Sequence, residues 1–152
     1  DLIAISNLIR LKNWYLPEIW SKPLLWSLWL SFFGMVIGFF LFVLVPFGII
    51  NHSLAMHAVV ISGIGLMTLA MMSRVSLGHT GRNIHQPPKT VTVIFISMTM
   101  AWLARAVLGW ILPDYYFATL AMAQAFWIVA FLVFVASYAP ILTLPRTDKL
   151  FG

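Results

Sequence analysis

Residues 24–45 read LLWSLWLSFFGMVIGFFLFVLV, with no charged side chain before a proline ends the run. A helix needs roughly 20 residues to cross the hydrocarbon core of a bilayer, so this run is long enough to span it once. Three more apolar runs of similar length follow: residues 53–73, 91–112 and 117–139. We expect the last of them to end before Pro140. Because backbone groups in lipid must bond within their own segment, the sequence predicts an all-α polytopic membrane protein with four transmembrane helices.

The composition excludes a soluble enzyme. Of the 152 residues, 62% are apolar and only 9% are charged, whereas a soluble domain carries about 25% charged residues. Cysteine is absent, which excludes disulfides and thiolate metal sites. The net charge of +5 comes from nine scattered Lys and Arg residues, too few and too dispersed for nucleic acid. Because the chain begins with Asp1, we expect residues 1–152 to be one helical bundle from the C-terminal part of a longer polypeptide, with the remaining N-terminal helices as partners.

The basic residues outside the runs predict the orientation. Three precede the first run, three lie between the second and third, and two follow the fourth: Arg10, Lys12, Lys22, Arg74, Arg82, Lys89, Arg146 and Lys149. The other two connections, residues 46–52 and 113–116, contain none. Cytoplasmic loops carry the excess of Lys and Arg, so we expect both chain ends and the loop 74–90 in the cytoplasm.

Residues 2–16 allow two interpretations. Leu2, Ile5, Ile9 and Leu16 share one face of a helix, which fits an amphipathic helix lying in the membrane interface. The same stretch fits the cytoplasmic half of a preceding span. We favour the second interpretation because the chain does not begin with methionine.

Two polar residues inside the runs are candidates for function. Arg105 is the one charged residue within them, and an arginine at mid-span costs about 2.5–3.5 kcal/mol to insert. Its side chain could extend to the interface, but we favour an internal anionic partner, from the protein or a ligand. His57 lies one turn inside the second run, near its outer end. It could be a neutral histidine bonded to a neighbouring helix, or a haem or metal ligand.

A third candidate lies in the sequence SLGHTGR at residues 76–82, where two glycines flank His79 and Arg82 follows. Such a loop could bind an anion through its backbone N–H groups. His57 and His79 lie at opposite ends of the second run, ~25 Å or more apart by helical rise, so they cannot share one metal.

The methionines and glycines favour packing. Eight methionines could suit copper(I), but none forms a Met-x-Met pair in a loop, and methionine is a common apolar filler. Gly34 and Gly38 are spaced as a small-xxx-small pair, which is typical of close helix contacts.

Several segments resemble the NnrS family. The longest is His57-Ala58 followed by GIGLMTLAMMSRVSLGHTGR at residues 63–82, supported by KPLLW at 22–26, YAPIL at 138–142 and PRTD at 145–148. Together they extend over nearly the whole chain, although residues 149–152 lack the more glycine-rich close that we would expect. The family consists of bacterial inner-membrane proteins of over twice this length, described as containing haem and copper and linked to denitrification and protection against nitric oxide.

The resemblance implies a haem-associated membrane protein of the response to nitric oxide and nitrosative stress, with haem and possibly copper as cofactors. His57, His79, Arg82 and Arg105 are the candidate cofactor-binding residues, and the two histidines are the candidate metal ligands. His57 lies ~6 Å and Arg105 ~10 Å below the outer surface by helical rise, so one site could place a haem-ligating histidine beside a cation for the propionates. His79 and Arg82 could instead contact a haem propionate or a lipid phosphate.

The alternative is a membrane transporter or helical scaffold without haem chemistry, in which His57 and Arg105 line a substrate path. The sequence contains neither a nucleophile–base pair nor a nucleotide-binding loop, so it assigns no enzymatic reaction. The lipid bilayer and nitric oxide are the expected partners.

Overall fold

The computed structural model describes residues 2–147, and these residues form five helices joined by short turns. We number them α1 (Leu2–Asn13), α2 (Pro23–Leu44), α3 (His52–His79), α4 (Thr90–Ile111) and α5 (Tyr116–Thr143). The last four are long and apolar enough to cross a membrane. The predicted fold class, an all-α polytopic membrane protein with four transmembrane helices, is therefore confirmed.

Helix α3 continues beyond the predicted end of its span, and Gly78 does not interrupt it. The helix ends at His79 because Gly81 adopts a φ of +70°, which a residue without a Cβ tolerates. The N–H of Arg82 then donates to the carbonyl of Leu77 at 2.9 Å, and the N–H of Gly81 donates to the carbonyl of Gly78 at 3.3 Å. This pair of bonds is a Schellman motif. The loop between the second and third spans is therefore shorter than predicted.

Helix α5 also continues past its predicted stop, because Pro140 lies inside the helix and Thr143 ends it. Proline removes one backbone hydrogen bond, but other donors can satisfy the freed carbonyls of a membrane helix. Arg82 acts at the C-terminus of the helix, where its Nη1 donates to the carbonyl of Ile141 at 3.1 Å, one of the last-turn carbonyls that have no partner within the helix. The expectation that Pro140 ends the helix was wrong.

Helices α3 and α4 each contain a π-helical segment, Val60–Leu66 and Leu103–Leu108. The two helices are joined beside the first segment by Trp102, whose indole Nε1 donates to the carbonyl of Ala58 at 3.0 Å. π-Helical turns occur frequently at functional sites, and the second of these contains Arg105.

The core lies where α4 packs between α3 and α5. Phe95, Met98 and Ala101 of α4 are completely buried. Helix α2 covers the other side of α3, and their approach requires glycine. A Cβ on Gly34 would lie 2.6 Å from Ser62 Cβ, and one on Gly38 would lie 2.8 Å from the backbone nitrogen of Val59. The small-xxx-small pair therefore packs helices, as expected.

Helix α1 packs on α2, with Ala4 and Leu11 buried and the guanidinium carbon of Arg10 lying 5.8 Å from the centroid of the Phe32 ring. Its predicted apolar face, Leu2, Ile5 and Ile9, points away from the bundle. An outward apolar face fits both interpretations of residues 2–16, so the choice between an interfacial helix and part of a preceding span stays a prediction.

The antiparallel helices give the bundle two distinct ends. We call the end with residues 45–51 and 112–115 the cavity end, and the end with residues 80–89 and 144–147 the basic end. The two segments of the basic end touch: the hydroxyl of Thr147 donates to the carbonyl of Gly81 at 2.8 Å. Lys149 and the final residues lie outside the described part of the chain.

Candidate functional site: a cavity with a histidine and a buried arginine

A cavity of about 470 Å³ lies near the cavity end, between α3, α4 and α5. Its size falls within the range of about 300–1,000 Å³ that is usual for ligand pockets. Its walls are mainly apolar, and residues of three helices line it, among them His57, Val60, Ile61, Arg105, Gln124 and Trp127. We call it the His57–Arg105 cavity.

The cavity lies beside a close contact between α3 and α5. A Cβ on Gly65 would lie 2.9 Å from the Trp127 ring, so α3 and α5 are in close contact there. Nearer the cavity end, residues of α3 and α5 line the cavity together with Arg105 of α4. Gln124 and Ile128 of α5 line the cavity and are exposed, so it opens between α3 and α5.

The His57 ring is fixed by the preceding turn of its own helix. Its Nδ1 contacts the carbonyl oxygen of Ser53, with the Ser53 hydroxyl 3.4 Å away. Because a carbonyl oxygen only accepts, Nδ1 must carry the proton, and in the neutral ring Nε2 then carries a lone pair. Nε2 has no hydrogen-bond partner within residues 2–147. This arrangement, with one ring nitrogen donating to a carbonyl and the other free, is typical of histidines that ligate metals.

Arg105 is buried, with only 3% of its surface exposed. Its Nη2 donates to the hydroxyl of Tyr116 at 3.3 Å and lies 3.5 Å from the hydroxyl of Ser53, and the guanidinium lies over the Tyr116 ring, 5.0 Å from its centroid. Its Nε is buried without a hydrogen-bond partner. Asp114 is exposed, and no carboxylate of the described residues forms an ion pair with Arg105.

Two partial hydroxyl contacts leave most of the Arg105 charge uncompensated, and an uncompensated charge in a membrane protein is costly. The structure therefore places an unpaired cation and an unpaired imidazole nitrogen in the walls of one cavity. A planar ligand with a metal and acidic substituents would satisfy both. The residues present fit a haem held by one histidine.

The other two predicted site residues lie at the basic end, separated from this cavity by the length of α3. The imidazole of His79 is exposed, and its backbone carbonyl accepts a hydrogen bond from Nη1 of Arg146 at 2.9 Å. His79 lines a groove together with Arg74 and Arg146, whereas Arg82 does not line it. Because the Arg82 guanidinium binds the end of α5, the structure does not bring it together with His79 at one surface.

No group of three or more His, Asp or Glu side chains within residues 2–147 is positioned to hold a metal ion. His57 is thus a single candidate ligand, and His79 is another. Any additional ligand for either must come from a methionine, from a cofactor or from outside the described residues.

Three contributors to the cavity were not identified from the sequence. Tyr116 lies at the end of a connection, and Gln124 and Trp127 lie inside the fourth run, where nothing in the sequence marks them as site residues. Ser53 could have been found, since it lies four residues before His57 and helix neighbours at this spacing meet.

The chain was compared with known proteins. A family model described as NnrS protein matches residues 2–146. No curated protein and no solved structure matches the chain.

Proposed function

Because this chain belongs to the NnrS family, we propose that it is a haem-associated membrane protein of the response to nitric oxide. The observation that supports the proposal best is the His57–Arg105 cavity. An imidazole with a free Nε2 and a buried guanidinium with an unpartnered Nε line the same space.

In this proposal a haem bound in the cavity supplies an iron that can bind nitric oxide. His57 would hold the haem through Nε2, and the carbonyl of Ser53 fixes the ring by accepting a hydrogen bond from Nδ1. A fixed hydrogen-bond acceptor on the other ring nitrogen orients such a ligand and raises its basicity. Arg105 neutralises a propionate, which a guanidinium can hold with two parallel hydrogen bonds. Copper, the second metal associated with the family, stays a prediction.

We also propose that the protein lies in the bacterial inner membrane with its basic end in the cytoplasm. Lys22, Arg74, Arg82, Lys89 and Arg146 belong to this end, whereas residues 45–51 and 112–115 of the cavity end contain no Lys or Arg. The positive-inside rule then puts the cavity in the outer half of the membrane.

The proposal is tested by the absorption spectrum of the purified full-length protein, with and without nitric oxide. We expect a haem Soret band that shifts on adding nitric oxide, and we expect His57→Ala to remove it. His52→Ala is the matched control, because this histidine lies one turn away at the helix start and its ring packs on Phe42, 5.4 Å between centroids. Arg105→Lys should weaken haem binding about tenfold, since lysine cannot form the bidentate fork.

Full haem occupancy in the His57→Ala protein would exclude this ligand. A wild-type protein without haem would instead favour the alternative, a transporter or scaffold in which the cavity belongs to a substrate path.

A further inference from the structure

Two neighbouring grooves at the basic end share Arg74. The first, of about 120 Å³, lies between the start of α2 and the loop before α4, and Lys22, Arg74 and His85 line it. The second, of about 330 Å³, lies between the end of α3 and the segment after α5, and Arg74, His79 and Arg146 line it.

Within residues 2–147, the lining of both grooves is positive and contains no carboxylate. Three permanent cations and two histidines contribute: Lys22, Arg74, Arg146, His79 and His85. Glu18, four residues before Lys22, lines neither groove, and Asp148 lies outside the described residues. The positive electrostatic potential of the grooves therefore favours an anionic ligand.

Arg74 is the residue best placed to bind that anion. Its side chain is exposed, and its guanidinium has no hydrogen-bond or ion-pair partner within residues 2–147, unlike that of Arg82. All five of its N–H groups are available to acceptors. A planar guanidinium matches the geometry of a phosphate and can donate two hydrogen bonds to it.

Part of the wall that α3 forms in the second groove is apolar. Met71 and Val75 line it and are each 45% exposed, and Ile84 closes its other wall. Met71 lies one turn before Val75, so these side chains form an apolar strip beside Arg74. The exposed Trp20 lies at the same end of the bundle, as is typical of the headgroup level.

We propose that the paired grooves bind the headgroup of an anionic phospholipid, with its phosphate on Arg74 and the first part of an acyl chain along Met71 and Val75. The combination of cations and an apolar strip fits a lipid, because a free phosphate has nothing to place on the strip. A haem propionate from the cavity cannot reach this point, because His57 and Arg74 are 17 residues apart on α3, ~25 Å by helical rise. Basic pockets at the cytoplasmic ends of membrane helices are typical sites for such headgroups.

The test is native mass spectrometry of the full-length protein in detergent, titrated with phosphatidylglycerol or phosphatidylcholine. The wild-type protein should bind phosphatidylglycerol more tightly. Arg74→Gln should lower that affinity about fivefold, the effect of losing one basic residue near a membrane surface, and should leave phosphatidylcholine binding unchanged. Arg74→Lys should keep part of the preference.

Lys89→Gln is the matched control, because Lys89 is exposed at the same end but lines neither groove. Equal losses from Arg74→Gln and Lys89→Gln would show that only the net charge matters and would overturn the proposal. So would competition in which inorganic phosphate displaces phosphatidylglycerol completely at equal concentration, because the apolar strip would then contribute nothing.

Discussion

A single serine connects the two polar side chains of the His57–Arg105 cavity. The backbone carbonyl of Ser53 holds His57 Nδ1, and its hydroxyl is the more distant of the two hydroxyl partners of Arg105. The orientation of the imidazole therefore depends on the backbone and tolerates side-chain changes at Ser53. The position of the guanidinium depends mainly on Tyr116, which provides both a hydroxyl and a ring face.

We therefore expect Tyr116→Phe to lower the free energy of unfolding by about 1 kcal/mol, the usual net value of one hydrogen bond. The ring contact with Arg105 remains in this variant, so the loss reports on the hydroxyl alone. Tyr115→Phe is the matched control, because Tyr115 is 64% exposed and its hydroxyl has no hydrogen-bond partner in the described part of the chain. The measurement is thermal or denaturant unfolding in detergent. Equal stability of the two variants would show that the Tyr116 hydroxyl does not support Arg105.

At the scale of the helices, the sequence predicted the spans well and their ends poorly. Run length and the absence of charge determine where a helix can cross the bilayer, so all four spans were found. The ends of the helices depend on local backbone conformation and hydrogen bonds, which the length of an apolar run does not reveal. The second run ends at residue 73, but the helix continues until the Schellman turn at Gly81 ends it. Pro140 looked like a stop, but a membrane helix tolerates the backbone hydrogen bond that proline removes, and Arg82 donates to the Ile141 carbonyl in the last turn.

The cavity was predictable only in part. The depths of His57 and Arg105, estimated from helical rise, suggested that they could meet, and the structure places them around one cavity. The π-helical segments could not be foreseen, because they depend on contacts between helices such as that of Trp102 with the Ala58 carbonyl. The contribution of α5 depends on how that helix is rotated about its axis, which a uniformly apolar sequence leaves open.

The contact between α2 and α3 gives a prediction at this scale. Gly38→Ala should destabilise the bundle by about 1–3 kcal/mol, the usual effect of overpacking, because the new Cβ would lie 2.8 Å from the backbone nitrogen of Val59, which cannot rotate away. Gly78→Ala is the control: its Cβ would lie 3.5 Å from the end of the Ile84 side chain, an ordinary contact. Both variants replace a helical glycine, so alanine's helix propensity favours each equally. An unfolding midpoint for Gly38→Ala at or above that of Gly78→Ala would contradict the close packing.

At the scale of the whole molecule, the two ends differ in chemistry. The cavity end offers one buried cation and one imidazole to a ligand within the membrane, whereas the basic end offers exposed cations to phosphates at its surface. Helix α5 contributes to the first site, yet most of its apolar surface faces outward. Only 11% of the most apolar stretch of this helix is buried. Within a bilayer that surface meets lipid or further helices, and the open side of the cavity would meet the same neighbours.

The orientation of these ends is testable because the chain contains no cysteine, so each introduced cysteine is the only site for a maleimide. Phe47 and Tyr115 are suitable positions at the cavity end, being 73% and 64% exposed. Gly48 is less suitable, since its φ of +69° disfavours any residue with a Cβ. Gln86 is exposed in the loop of the basic end.

With a membrane-impermeant maleimide on intact cells, we expect labelling of Phe47→Cys and Tyr115→Cys but not of Gln86→Cys. Gln86→Cys should react only after the membrane is permeabilised, which also controls for its intrinsic reactivity. This outcome follows from the positive-inside rule, since the connections at the basic end carry the Lys and Arg residues and those at the cavity end carry none. The reverse pattern, with Gln86→Cys alone labelled on intact cells, would invert the orientation. It would place the His57–Arg105 cavity in the cytoplasmic half of the membrane, while the contacts that form it would be unchanged.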